Sequence, residues 1–330
     1  MFKKVFAAIV SACTISAMLA APAAAAETLT LASTLSDTTS VISVSREMAD
    51  QVREATDGEI DIQVFPDSTL GSQDDFLEGV QMGTVDMCII AAGALEDYYD
   101  QYAVYSVPFL FNSTQAAYDF FMSEDGQAIN DAFREQTGMR VIGLFNEGFR
   151  QVWSKAPIYE LADFKGMKLR VPDVTLYINM FTELGSQATV VPYGDLYTGL
   201  QTGLVEGMEL PIASVYGSST YEQVKYCTLT NHIGGAMCLL VNEGKWEGLT
   251  EEQQNAILQY ADEASEKDRA NLKDMEDEEV VEIEESGVEF IELTQEARDE
   301  IVEAMGAVID SLYGDKLDPA MLERAREFSK

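Results

Sequence analysis

The chain has 330 residues, and its 57 Asp and Glu residues against 21 Lys and Arg give a formal net charge of −36 at pH 7. A surface this acidic repels nucleic acids and anionic lipids, so neither is expected as a partner. The length suits two domains or one large domain.

Residues 1–26, MFKKVFAAIVSACTISAMLAAPAAAA, predict a cleaved secretory signal peptide. Lys3 and Lys4 give it a basic start, an apolar stretch follows, and APAAAA offers A-x-A cleavage sites. Cys13 only weakly suggests a lipidation site, because the apolar stretch before it is short. No later apolar run is long enough to span a bilayer. We therefore expect a soluble exported protein without direct membrane insertion after signal cleavage.

Three cysteines follow the predicted cleavage site, namely Cys88, Cys227 and Cys238. An odd number excludes a fully paired disulfide framework. Cys227 and Cys238 could form a bridge in an oxidising compartment, but both lie in apolar, strand-like runs, and buried free thiols remain an equal alternative.

The first elements alternate between strands and helices. The patterns predict strands at 28–34, 59–66 and 85–93 and helices at 40–58 and 72–83. This βαβ alternation predicts a parallel, doubly wound sheet with helices on both faces.

The alternation recurs later in the chain. Predicted strands occupy 164–172, 188–193 and 205–211, and predicted helices occupy 175–185 and 193–203. Residues 79–86 (GVQMGTVD) and 199–206 (GLQTGLVE) share a pattern in which a helix ends at a glycine and a buried strand follows. The repeat favours two similar lobes.

The C-terminal third contains a helix that begins near Thr250 and could exceed 30 residues, long enough to cross from one lobe to the other. A strand at 287–293 and a helix at 294–314 follow. With lobe crossings near Glu147, Gly235 and Met275, we expect lobe I to comprise 27–147 and 236–275, and lobe II to comprise 148–235 and 276–330.

Residues 145–173 concentrate positive charge in an otherwise acidic chain. Arg170 lies in the apolar strand MKLRVP, where an unpaired guanidinium is costly, so it either forms a core ion pair or grips a ligand carboxylate with its planar fork. Arg150 is either an exposed loop residue or a second ligand contact. Lys155, Lys165 and Lys168 look like surface charges.

Catalytic signatures are absent from the sequence. The single histidine, His232, cannot form a His-rich metal site, and no G-x-S-x-G, Walker or G-x-G-x-x-G motif occurs. We expect no cofactor and no metal. An exported hydrolase that uses Asp or Glu is the enzyme alternative, but no carboxylate stands out from the acidic background.

Several segments together resemble one family. VFPDSTLGSQDDFLEGVQMGTVDM, YSVPFLF, LADFKGMKLRVPD, LQTGLVEGMELP and VKYCTLTNHI are similar, in this order, to the DctP-type periplasmic solute-binding proteins of TRAP transporters. The resemblance implies an α/β, two-lobed periplasmic-binding-protein fold with parallel-rich sheets and a long helix linking both lobes. It also implies a receptor, not an enzyme, that closes over a small organic acid and delivers it to the membrane subunits of a sodium-driven TRAP permease.

The resemblance carries ligand-binding roles over to matching positions. Arg170, in K-L-R-V-P, would grip the ligand carboxylate, and Arg150, in NEGFR, would be the second arginine. The remaining predicted ligand-binding residues are Thr34, Gln73, Ala91, Ala92, Gly93, Trp153, Tyr193, Glu209 and Leu210.

Two positions depart from the sialic-acid-binding relatives. Leu210 and Ala91 stand where those proteins typically have asparagine and glutamate, which removes hydrogen bonding that a polyol tail would need. These differences favour a smaller or more apolar acid, such as a C4-dicarboxylate, a short 2-oxo or hydroxy acid, or an aromatic acid. Trp153, Tyr193 and Phe149 leave the aromatic alternative open, although each could equally pack in a core.

Overall fold

The structure is a computed structural model that describes residues 26–314 and 316–330. Nearly all of the predicted signal peptide, including Cys13, lies outside the described residues. The strands are β1 (Glu27–Ser33), β2 (Ile60–Phe65), β3 (Met87–Ala91), β4 (Met139–Ser154), β5 (Lys168–Val171), β6 (Gln187–Val190), β7 (Gly207–Pro211), β8 (Tyr226–Leu229), β9 (Gly234–Asn242) and β10 (Glu289–Glu292).

The α-helices surround these strands, so the architecture is mixed α/β. They are α1 (Ser40–Ala55), α2 (Gln73–Met82), α3 (Thr114–Met122), α4 (Glu124–Thr137), α5 (Thr175–Glu183), α6 (Leu196–Thr202), α7 (Ile212–Gly217), α8 (Glu243–Gly248), α9 (Glu251–Glu285), α10 (Gln295–Tyr313) and α11 (Pro319–Glu327).

The long strand β4 joins two sheets. Its first half borders β9 and completes the order β2-β1-β3-β9-β4, and its second half lies between β7 and β8 and leads to β5 and β6. The partners change where a β-bulge interrupts the register between Asn146 and Phe149. A bulge bends a strand and increases its twist, so the direction of β4 changes between its two halves.

The sheets are mixed, and they contain the parallel pairs that the sequence predicted together with antiparallel ones. The pairs β1–β2, β1–β3, β5–β6 and β5–β7 are parallel, whereas β9 runs antiparallel to β3, and β4 runs antiparallel to β9 and β7. The alternation of strands and helices indicated the parallel pairs. The crossing strands β4 and β9 lack that local signal, because each pairs with elements distant in the chain.

The two repeated segments adopt the predicted local structure. Helix α2 ends at Gly83 with φ of 74°, and α6 ends at Gly203 with φ of 75°. Both glycines occupy the left-handed region that permits the chain to leave a helix and enter a strand. The shared turn therefore places β3 and β7 at equivalent positions in their sheets.

The predicted long helix is confirmed as α9, which spans 35 residues and begins with a capping box between Thr250 and Gln253. It packs against α1 and β4 in its first part and against α7 further on, so it runs past both sheets. Helix α10 packs on α5.

The last segment behaves differently from the rest of predicted lobe II. Arg324 of α11 forms an ion pair with Asp125, and Phe328 contacts the Phe120 ring. Because Asp125 and Phe120 belong to predicted lobe I, residues 316–330 return to that lobe. The other predicted boundaries stay predictions.

Buried side chains fill both sheets' interfaces with the helices. Cys88, Cys227 and Cys238 are buried free thiols, so the alternative of a Cys227–Cys238 bridge is not adopted. None of the helices in the described ranges is both long enough and apolar enough to cross a membrane.

Candidate functional site

A cavity of about 420 Å³ opens between the two predicted lobes. One wall comes from the ends of β1 and β2 and the start of α2, and the other comes from the ends of β5 and β6. Both walls therefore include the carboxyl ends of parallel strands, where α/β folds place their ligands. The lining residues are Thr34, Ser68, Gly71, Ser72, Gln73, Asp74, Arg170, Pro172, Asp173, Val190, Val191, Pro192, Tyr193, Gly194 and Asp195.

Arg170 brings the cavity its positive charge. Strand β5 lies between β6 and β7, which buries the Arg170 side chain, and its Nε donates a hydrogen bond of 2.8 Å to the Val191 carbonyl. Within the described ranges, no carboxylate oxygen lies within 4.0 Å of its nitrogens, the limit for an ion pair. Burial lowers the pKa of the guanidinium to about 10, against the opposing charge of Glu209. An anion in the cavity would relieve this desolvation cost.

Arg150 does not line the cavity. Its Nε and Nη2 donate to the two carboxylate oxygens of Glu209 at 2.5 and 2.7 Å, and Nη2 also reaches the Glu209 carbonyl at 2.9 Å. The guanidinium lies over the Tyr177 ring at 5.1 Å. The Arg150 charge, which was predicted to bind a ligand carboxylate, is thus paired with Glu209. A direct ligand role for Arg150 or Glu209 stays a prediction.

Glu209 is fully buried between Arg150 and His232, whose Nε2 lies 3.4 Å from its carboxylate. Burial opposes ionisation of Glu209, but the charge of Arg150 and the hydrogen bonds from Arg150 and His232 together outweigh it and keep the pKa of the carboxyl below its ordinary value. Burial lowers the pKa of His232, so the imidazole is neutral at pH 7. The charge of Glu209 is therefore balanced by Arg150, and Arg170 remains available.

Tyr193 lines the cavity, and it also connects the cavity with the bulge of β4. Its hydroxyl donates to the Ser214 carbonyl at 2.7 Å, and the Ser214 hydroxyl donates to Glu147 at 2.6 Å. Burial raises the pKa of the phenol, which therefore stays protonated and donates. The bonds of this chain fix the Tyr193 ring at the wall beside Arg170.

Thr34 and Gln73 supply polar groups from the opposite wall. Gln73 is oriented by a hydrogen bond of 3.2 Å from the Ala91 backbone nitrogen to its Oε1, which leaves its amide nitrogen for a ligand. Ala91 is thus a neighbour of the cavity through Gln73 and is not among the lining residues.

The other predicted contacts lie in packed regions instead of the cavity wall. Trp153 is fully buried, donates its indole N–H to the Leu210 carbonyl at 2.9 Å, and packs edge-on against Phe290. Leu210 is buried in the same cluster. Ala92 is buried, and Gly93 faces Ser106 and Tyr177, because the chain turns away from the cavity after β3.

Three carboxylates in the cavity wall were not predicted from the sequence, namely Asp74, Asp173 and Asp195. Burial and the nearby charge of Asp173 raise the pKa of Asp74. The usable signal was position, because Asp173 follows β5 and Asp195 follows β6 at the carboxyl ends of parallel strands. In a chain this acidic, composition could not distinguish them from surface residues.

Two lobes, a cavity between them and a lone buried arginine in its wall define a receptor for a small anionic solute. The chain belongs to the family of bacterial extracellular solute-binding proteins, family 7 (DctP), which it matches over residues 31–316. Proteins of this family are TRAP-transporter solute receptors of the periplasm that bind small acids and work with TRAP permeases, and they are not enzymes. No cluster of three or more His, Cys, Asp or Glu residues in the described ranges could hold a metal ion.

Individual relatives match along most of their length. A solute-binding protein of Roseobacter denitrificans is 30% identical over 82% of this chain and 85% of its own. The 2,3-diketo-L-gulonate-binding periplasmic protein of Escherichia coli is 30% identical over 88% of each chain. The crystal structure of a TRAP solute-binding protein from Roseobacter denitrificans with bound L-galactonate superposes with a TM-score of 0.84 at 28% identity, over 92% of this chain and 98% of that one.

Proposed function

We propose that this receptor binds a hydroxylated monocarboxylate in the cavity beside Arg170 and delivers it to a sodium-driven TRAP permease. The observation that carries the proposal is the buried Arg170 guanidinium, which lines the cavity and has no carboxylate partner in the described part of the chain. Its fork suits the two oxygens of a ligand carboxylate.

The carboxylates of the wall favour an acid with one negative charge. Asp74, Asp173 and Asp195 line the same cavity in which Arg170 is the single arginine or lysine among the described lining residues. A second ligand carboxylate would meet like charges, whereas ligand hydroxyl groups could donate to these acceptors. This argument disfavours the C4-dicarboxylates and aromatic acids that the sequence left open, and it favours hydroxy acids. It also replaces the expectation of a small or apolar acid, because Leu210 and Ala91, on which that expectation rested, do not line the cavity.

The names of several relatives agree with such a ligand. The Roseobacter denitrificans structure contains L-galactonate, and a TRAP solute-binding protein from Xanthobacter autotrophicus, 27% identical, contains β-D-galacturonate. Both compounds carry one carboxylate and several hydroxyl groups. The C4-dicarboxylate-binding protein of Vibrio cholerae is 29% identical, so family membership alone does not choose between the classes.

Closure of the lobes completes the site. Arg170 and Tyr193 would hold the carboxylate end on lobe II, and Thr34, Gln73 and Asp74 would contact the hydroxylated end from lobe I. Only the closed form provides both sets of contacts, so the ligand shifts the open–closed equilibrium by its differential affinity. The bulge of β4 between Asn146 and Phe149 is the proposed pivot.

The test is a thermal-shift panel that contains L-galactonate, D-glucuronate, succinate and neutral galactose. A ligand at one hundred times its dissociation constant stabilises the folded state by about 2.7 kcal/mol, which is readily visible. We expect the hydroxylated monocarboxylates to raise the melting temperature, and Arg170→Ala to abolish the shift. Lys168→Ala, an exposed cation two residues away in β5, is the matched control. A shift by galactose alone, or shifts unchanged in Arg170→Ala, would refute the proposal.

A further inference from the structure

Glu96 connects the two lobes at a point outside the cavity. It belongs to the 3₁₀ turn Ala92–Asp97, which follows β3 in lobe I, and its side chain is buried. Its Oε1 accepts a hydrogen bond of 3.1 Å from the backbone nitrogen of Leu176, in the first turn of α5 in lobe II. The two residues are 80 positions apart.

Helix α5 lacks a cap of its own. Val174 at the N-cap position makes no side-chain hydrogen bond, and the first turn contains no acidic residue. The N–H groups at a helix start have no partner within the helix and carry partial positive charge, so they attract an acceptor. For α5 this acceptor comes from the other lobe, which makes the cap dependent on the position of the lobes.

A second contact supports the same approach of the lobes. A Cβ at Gly93, in the same turn as Glu96, would lie 3.5 Å from the Tyr177 hydroxyl of α5 and 2.4 Å from the Ser106 hydroxyl. The turn therefore lies within van der Waals reach of Tyr177, while Ser106 of lobe I is the neighbour that leaves no room for a side chain at position 93. Glu96 and Gly93 together place the first turn of α5 against lobe I.

The surroundings of Glu96 favour its protonated form. It borders a crevice of about 200 Å³ that also exposes Asp97, Asp100, Tyr313 and Lys316. Burial raises the pKa of Glu96 to about 7, and Asp97 and Asp100 contribute in the same direction, while the Leu176 N–H and Tyr313 oppose the rise. A carboxyl freed by lobe opening would return toward its ordinary value of 4.5.

We propose that Glu96 is a positioning residue that latches the lobes by capping α5, and that its carboxyl takes up a proton as the lobes close. The proposal rests on the lobe closure of the proposed function and adds a regulation to it. Between the ordinary pKa of Glu96, 4.5, and its pKa of about 7 in the closed form, the closed form holds one more proton than the open form. Ligand affinity therefore rises as pH falls from about 7 toward 5.

Hydrogen exchange at the Leu176 amide tests the cap in the ligand-free mature chain at about pH 5.5, where the proposed proton uptake favours the closed lobes. We expect exchange at this amide to be about tenfold faster in Glu96→Ala than in the wild type. Glu96→Gln keeps a carbonyl acceptor and should retain the slow exchange, as should Glu135→Gln, which alters an exposed acid of α4. Equal exchange in the wild type and Glu96→Ala would overturn the cap. This measurement needs no ligand, so it can be interpreted even if the proposed ligand does not bind.

The pH profile of binding tests the proton. The dissociation constant of L-galactonate is measured from about pH 5.5 to 8.5 for the wild type, Glu96→Gln and Glu135→Gln. Other buried acids titrate equally in all three proteins, so the ratio of wild type to Glu96→Gln isolates the carboxyl. We expect relative wild-type affinity to rise about tenfold as pH falls through this range. A ratio independent of pH would overturn proton uptake, and a glutamine variant with the wild-type slope would assign it to another group.

Discussion

Arg150 and Glu209 form a bidentate ion pair between the antiparallel neighbours β4 and β7, with nitrogen–oxygen distances of 2.5 and 2.7 Å. Their side chains are 6% and 0% exposed, so each charge depends on the other. The pair fixes the segment of β4 that follows the bulge, and it removes Glu209 as a partner for Arg170. The architecture of the binding site thus relies on one arginine being paired and the other remaining available.

The pair predicts a large loss of stability when one partner is removed. We expect Glu209→Ala to lower the free energy of unfolding by about 3–5 kcal/mol, because it leaves the Arg150 charge buried without compensation. Urea unfolding followed by circular dichroism measures the change. Glu47→Ala, which breaks the half-exposed pair with Lys267, should cost at most about 1 kcal/mol. Similar losses in both variants would show that the buried pair contributes no more to the free energy of unfolding than the half-exposed pair.

Arg170 predicts a loss of affinity without a comparable loss of stability. Arg170→Ala should weaken binding of L-galactonate by about 2–5 kcal/mol, because the ligand carboxylate loses its charged partner. Arg170→Lys should also weaken binding, since an ammonium group cannot form two parallel bonds. Titration calorimetry compares both with Lys168→Ala. Wild-type affinity in Arg170→Lys would mean that charge alone, and not the planar fork, holds the ligand.

Local patterns in the sequence anticipated the elements that depend on local physics. The strands before and after the two Gly-ended helices, the Thr250 start of α9 and the cavity residues Thr34, Gln73, Arg170 and Tyr193 followed from periodicity, capping signals, strand ends and family resemblance. Helices α3, α4 and α11 were not predicted. Strand β4 was missed as a single 16-residue element, because its halves pair with different partners.

The pairing of charges could not be read from the sequence. Arg150 and Glu209 are 59 positions apart, and an acidic chain offers many carboxylates to each arginine. The place of Trp153 could not be predicted either. An aromatic residue near a predicted ligand arginine could lie in the wall of the ligand cavity or in the hydrophobic core. Only the strand register places its indole behind the sheet, where it bonds the Leu210 carbonyl.

The carboxylates in the cavity predict selection against diacids. Asp74→Asn combined with Asp173→Asn removes two of the negative charges that line the cavity. We expect succinate binding to strengthen by about tenfold relative to the wild type, because the second ligand carboxylate meets less repulsion. Binding of L-galactonate should weaken, since its hydroxyl groups lose ionised acceptors. Calorimetry with both acids provides the ratio.

Asp75→Asn is the control for this change. Asp75 neighbours Asp74 in α2, but its carboxylate caps the helix at Ser72 and does not line the cavity. It should leave the ratio of succinate to L-galactonate affinity unchanged. An unchanged ratio in the double variant as well would contradict the role of the acidic wall in ligand choice.

Gly148 predicts a steric requirement at the proposed pivot. Its φ is 83°, and an added Cβ would lie 1.8 Å from Oε1 of Glu276 on α9. Gly148→Ala should therefore destabilise the fold by more than Gly166→Ala, whose φ is 77° but whose Cβ would meet nothing within 4 Å. The control should cost about 1 kcal/mol from backbone strain alone. Urea unfolding of both variants, with and without Glu276→Ala, separates the two contributions, and equal losses would exclude the contact with Glu276.

Buried acids beside the pivot predict how stability depends on pH. Burial raises the pKa of Glu147 and of Glu279 to about 7, above the ordinary value of 4.5. The folded chain therefore binds more protons than the unfolded chain between these values, so stability is greatest near the lower end and is lost as pH rises through about 7. Glu147→Gln keeps an acceptor for the Ser214 hydroxyl and removes one titrating group. Its urea midpoint should fall less between about pH 5.5 and 7.5 than that of the wild type or of Glu135→Gln, whereas parallel profiles would place the titration elsewhere.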